Sequence, residues 1–144
     1  MAGEFLVPVL IWLAIIKVLQ LSIWPALDRT LGRLAPAAAY PASVLLFTLV
    51  SWYCALSGIP VPLALIPFAA AMIYAGSGRF YTKERLYSSF KWDIAFLIPF
   101  LFMLEVRWIN PAISSGEKFM DHAILASIMR QPIVPPLDPW YAGG

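Results

Sequence analysis

Glu117 and Asp121 are the residues of this chain best suited to do chemistry. They stand four apart in the run Glu117-Lys118-Phe119-Met120-Asp121-His122, and that spacing stacks both carboxylates on one side of a helix. Two adjacent carboxylates serve as a general base or hold a divalent cation. Like charges at this spacing repel by a few tenths of a kcal/mol. A bound cation relieves that cost, and the dipole at a helix N-terminus offsets part of it. Each acid also has a plainer reading. Ser114 and Glu117 form a capping box at a helix start, and Asp121 suits a solvated helix face. His122 projects about 100° away from Asp121, so the two form no relay within one helix; a surface or packing role is its ordinary reading. Asp138 lies just before Pro139 in Pro135-Pro136-Leu137-Asp138-Pro139-Trp140-Tyr141 and is suited to closing a turn through its side chain. Trp140 and Tyr141 suit a membrane interface.

These residues follow a chain that is almost wholly apolar. Of 144 residues, 61% are hydrophobic and 12% charged, and the mean hydropathy is +0.78. Such a composition belongs to an integral membrane protein. Four windows, Phe5–Trp24, Tyr40–Ser57, Val61–Ser77 and Trp92–Trp108, approach the ~20 helical residues that span a hydrocarbon core. The expected fold is therefore all-α: about four transmembrane helices over 1–109, then an outer segment over 110–144. That segment holds an amphipathic helix, with Met120, Ala123, Ile124, Ser127 and Ile128 on one face, and a Pro-rich loop. A cleaved signal peptide is disfavoured, because Glu4 stands where a basic region belongs. Cys54 is the one cysteine, which excludes a disulfide or a Cys-rich metal site within the chain.

Lysine and arginine fix an expected orientation. Arg29 and Arg33 fall in the first connection, and Arg79, Lys83, Arg85 and Lys91 in the third, whereas the second, Gly58-Ile59-Pro60, has none. With four spans, both basic connections share the cytoplasmic face, and the N-terminus and tail face outward. Lys17 lies inside the first window and is expected to snorkel toward the cytoplasmic interface, the alternative being a buried partner; Glu105 is expected to pair locally near the outer end of the fourth. Pro25, Pro36, Pro41, Pro60 and Pro62 mark span ends and connections, whereas Pro8, Pro67 and Pro99 lie inside or near the start of spans, where a proline is able to kink the helix. The third connection interleaves its cations with Phe80, Tyr81 and Tyr87, a composition suited to an anionic lipid surface, for which topology charge plus an aromatic belt is the simple reading ahead of specific headgroup recognition.

The tail resembles the first outer loop of a large polytopic family of uncharacterised function, found mainly in archaea and Chloroflexi and named for a tyrosine triplet. The resemblance rests on Glu117-Lys118-Phe119-Met120-Asp121, the short apolar helix ending at Arg130, and Pro135-Pro136-Leu137-Asp138-Pro139-Trp140-Tyr141-Ala142-Gly143-Gly144. Members resemble GT-C membrane glycosyltransferases in topology and loop acids. That likeness implies a lipid-phosphate-linked sugar donor, with Asp121 and Glu117 activating the acceptor or holding a divalent metal, magnesium or manganese. His122 replaces the family's usual apolar residue. The family's tyrosine triplet and further spans are not in this chain, so the resemblance implies a truncated or split product, inactive without its remaining part or a partner subunit.

Two functions follow as expectations: the N-terminal module of a GT-C-like glycosyltransferase, or a non-enzymatic membrane subunit that assembles with other membrane proteins. Membrane lipids are expected partners of either. Motifs for nucleotide phosphates, structural zinc or a serine nucleophile elbow are absent. Nucleic acid is excluded as a partner because topology already uses the basic residues. A transporter is disfavoured, since Lys17 is nearly alone as an ionisable group within the windows.

Overall fold

The computed structural model describes residues 2–109 and 116–130, with side chains described for 6–109, 121 and 123–130. Regular structure among them is helical throughout: α1 (Ala2–Leu31), α2 (Ala35–Leu56), α3 (Ile66–Ser77), α4 (Lys83–Ile109) and α5 (Gly116–Arg130). Short 3-10 turns, Gly32–Leu34 and Val61–Leu65, precede α2 and α3. The all-α expectation holds.

By length and composition, one continuous helical run, Leu6–Leu56, is able to cross a membrane, and Val61–Ser77 is a shorter apolar stretch. Drawn straight, the 51 residues of that run would extend about 75 Å. They do not run straight. Gln20 Nε2 donates to the Pro36 carbonyl at 3.1 Å, although 16 helical residues would hold these groups about 24 Å apart. The reversal comes at Gly32, whose φ of +48° lies in the left-handed region that L side chains avoid. Pro36, in the first turn of α2, then restarts the helix where a missing N–H costs nothing. The small side chains of Ala35 and Ala39 are wholly buried against Trp24 and let α1 and α2 approach closely.

The next two helix ends share one device. The Ile59 and Gly58 amides bond back to the Cys54 and Ala55 carbonyls at 2.8 and 3.1 Å, with Gly58 at φ +71°. The Phe80 and Arg79 amides do the same to Ala75 and Gly76, both at 3.0 Å. Each is a Schellman closure, but the second puts Arg79 in the left-handed position at φ +56°. Thr82 then caps α4, its Oγ1 accepting from the Arg85 amide at 3.3 Å.

Several boundaries differ from expectation. Pro25 and Pro41 lie inside α1 and α2 rather than at span ends. Pro25 is tolerated for a specific reason. It deprives the Leu21 carbonyl of its helical N–H partner, and the Tyr81 hydroxyl donates to that carbonyl instead, at 2.6 Å. Pro67 sits in the first turn of α3 and kinks nothing. Lys83, Arg85 and Lys91 belong to the first turns of α4, not to a loop. The expected tail helix is present as α5, ending at Arg130. Ser114, its expected cap, and the Pro-rich end from Pro135 lie outside the described residues.

Much of the apolar surface faces outward. Leu45, Trp52 and Tyr53 of α2, and Ile98, Phe102 and Trp108 of α4, are exposed. An apolar surface this extensive suits contact with lipid or protein.

Candidate functional site

Three helices meet at a polar cluster. Lys17 of α1 donates from Nζ to both carboxylate oxygens of Asp93 on α4, each at 2.8 Å. The Tyr40 hydroxyl of α2 donates to Asp93 Oδ1 at 2.7 Å. The Lys17 ammonium also lies 5.9 Å from the Tyr40 ring centroid. That ring stacks on Phe96 at 4.4 Å with 4° between planes, and Phe96 stacks in turn on Phe100. A cavity of about 170 Å³ opens beside the pair, walled by Leu13, Ile16 and Leu97. Below it, Gln20 and Ser43 are fully buried.

The chemistry of this cluster is that of a clamp. Asp93 accepts three hydrogen bonds of the roughly four its carboxylate offers, which leaves little capacity to take a proton from a substrate. Its effect is to tie α4 to α1 and α2. The snorkelling expected of Lys17 is therefore corrected: it pairs within the helices instead. Asp93 was missed, and the transporter argument that counted Lys17 as nearly alone was incomplete. A sequence signal did exist. Asp93 lies ten residues into α4 and Lys17 fourteen before the end of α1, about 15 and 21 Å from neighbouring helix ends. Two opposite charges stand at similar depths, away from the charged ends of their helices.

A second polar region gathers where α1 ends and α4 begins. Arg85 Nη1 donates to Asp28 Oδ2 at 2.8 Å, and the Arg85 guanidinium lies 4.5 Å from the Phe80 ring centroid. Arg33, Ser88 and Lys91 line the same cavity, of about 450 Å³. Phe80 and Tyr81 both pack against Trp24 beneath it. Burial pushes the Tyr81 phenol up to about 12 from its ordinary 10.0.

The acids singled out first are partly in view. Asp121 is exposed on α5, while Ala123, Ile124, Ala126 and Ser127 are half-buried on another face and Ile128 is exposed. Glu117 and His122 belong to the α5 backbone, but their side chains lie outside the described residues, as do Asp138 and Trp140 altogether. Among the described residues no three His, Cys, Asp or Glu side chains come together as a metal site. Asp121 contributes one carboxylate, too few by itself for a hard cation that takes about six oxygens.

One family model, described as uncharacterized membrane protein (DUF2298), matches residues 46–144, more than half of the chain. The chain belongs to this family. No curated protein and no solved structure matches. Family membership makes the chain a membrane protein, in agreement with its composition. The DUF2298 match takes in Asp93, the basic start of α4 and Asp121, whereas Lys17, Trp24, Arg33 and Tyr40 precede it.

Proposed function

We propose that the chain crosses the membrane four times and forms the N-terminal module of a GT-C-like glycosyltransferase. The donor in this reading is a lipid-phosphate-linked sugar, and 110–144 form an outer loop presenting Asp121 and Glu117. The observation that carries it is the length and polarity of α4. Its 27 residues rise about 40 Å, more than the ~30 Å hydrocarbon core. They run from Lys83, Arg85 and Lys91 at one end to Arg107 and Trp108 at the other, three cations against one. Positive charge favours the cytoplasmic side, so α5 and its exposed Asp121 follow on the outer side.

There the Asp121 carboxylate takes the proton of an acceptor hydroxyl. The acceptor oxygen bonds to the anomeric carbon of the sugar, and the carbon–oxygen bond to the lipid phosphate breaks, the phosphate leaving with the electron pair. In the alternative role, Asp121 and Glu117 would together hold a divalent cation such as magnesium or manganese, which would offset the phosphate charge. The enclosure of the donor falls to further helices, of the same protein or of a partner subunit.

The test is glycosyl transfer from radiolabelled lipid-linked sugar in membranes holding the complete protein. Asp121→Asn is expected to lower transfer at least about 100-fold, the usual span of a lost general base. Undiminished transfer removes Asp121 from the mechanism. The exposed apolar face of α4, including Ile98, Leu101 and Phe102, favours a second reading as a non-enzymatic subunit. Its signature is a stable complex whose function survives loss of both acids.

A further inference from the structure

We infer that the cavity between the end of α1 and the start of α4 binds a phosphate group, through Arg33 and Lys91 beside the indole of Trp24. The inference is independent of the acid pair on α5 and concerns the opposite end of α4. Six residues carry it: Trp24, Asp28, Arg33, Arg85, Ser88 and Lys91 all line the cavity of about 450 Å³. Three cations face one carboxylate, and that carboxylate is already taken by Arg85 at 2.8 Å. Arg33 and Lys91 have no carboxylate partner among the described residues. The Lys91 ammonium lies over the Trp92 ring, 5.2 Å from its centroid.

Excess positive charge at a membrane-proximal helix end has a bland explanation in topology. Trp24 argues for more. It is 2% exposed, and its Nε1–H has no hydrogen-bond partner among the described residues. A buried donor left unpaired is costly, and ligand or water oxygen commonly satisfies such groups. The Ser88 hydroxyl already donates to the Arg85 carbonyl at 2.8 Å, and the remaining guanidinium and ammonium cations of the wall, in excess of its one carboxylate, are complementary to phosphate oxygens. Asp28 holds the Arg85 guanidinium at the cavity wall.

The same chemistry is met by the headgroup of an anionic phospholipid and by free phosphate. The full-length protein is reconstituted into nanodiscs of phosphatidylcholine alone, or with phosphatidylglycerol titrated in, and thermal unfolding is followed by tryptophan fluorescence. A parallel titration adds inorganic phosphate to the phosphatidylcholine discs. Saturable stabilisation by phosphatidylglycerol assigns a lipid headgroup, and saturable stabilisation by inorganic phosphate a soluble one. In either case Arg33→Gln and Lys91→Gln each weaken apparent affinity about tenfold, the worth of one charged hydrogen bond. Lys83→Gln, at a basic position outside the cavity, leaves it within twofold. Stabilisation by neither ligand overturns the proposal. So does an equal loss in Lys83→Gln, which would mean diffuse surface attraction.

Discussion

Replacing Asp93 by Asn tests the clamp that joins α4 to the hairpin of α1 and α2. The amide keeps the size of the carboxylate and an oxygen for Tyr40, so the change isolates charge. Removing one partner of a fully buried ion pair costs about 3–5 kcal/mol. Here the Lys17 and Asp93 side chains retain 35% and 28% exposure, so solvent and lipid headgroups screen part of the loss. The expected cost is about 2 kcal/mol, roughly a 30-fold change in the unfolding constant. Lys17→Met costs about the same, because it leaves Asp93 with only the Tyr40 hydroxyl. The double variant Lys17→Met/Asp93→Leu removes both charges, which apolar residues of similar volume replace without loss, and costs only about 1 kcal/mol, from the Tyr40 hydroxyl left without its acceptor. The assay is equilibrium unfolding in mixed micelles titrated with sodium dodecyl sulfate, followed by tryptophan fluorescence. Asp93→Leu, Lys17→Met, the double variant and the parent complete a double-mutant cycle, with Asp93→Asn beside it as the isosteric variant. If the double variant loses as much as the two singles together, within ~0.5 kcal/mol, Lys17 and Asp93 act independently and the clamp is refuted.

Two further outcomes concern the end of α3 and the start of α4. The unfolded phenol of Tyr81 releases its proton near 10.0 and the folded one near 12, so the unfolded state binds fewer protons in between and stability falls as pH rises through that window. Tyr81→Phe, compared with the parent by alkaline unfolding, is expected to flatten that fall while losing about 1 kcal/mol at neutral pH from the unpartnered Leu21 carbonyl; an unchanged alkaline profile would refute it. Arg79→Gly relieves the left-handed strain at φ +56° and is expected to gain about 0.5–1 kcal/mol in micellar unfolding, whereas a loss would mean that the Arg79 side chain contributes more than its backbone costs.

The helices were legible because an apolar chain that must satisfy its own backbone has few other options. The basic residues that suggested an orientation do gather near one end of α4, and the tail helix runs to Arg130 as its periodicity required. Asp121 lies on the exposed side of α5, where either an accessible base or a solvated acid belongs, so its exposure does not separate the two. The interior residues were misread, and Pro25 and Lys17 failed for one reason. Local rules treat a proline in an apolar helix as its end, and a lysine there as a group reaching for water. Each rule assumes that the defect is resolved nearby. Tyr81, 60 positions from Leu21, supplies the hydrogen bond that Pro25 removes, and Asp93, 76 positions from Lys17, supplies its counter-charge. In water such a defect is solvated locally at small cost. Between packed helices it is a demand on a distant partner. Read in that way, Lys17 and Tyr40 on two helices both call for an acceptor, and Asp93 is the acid at matching depth on a third.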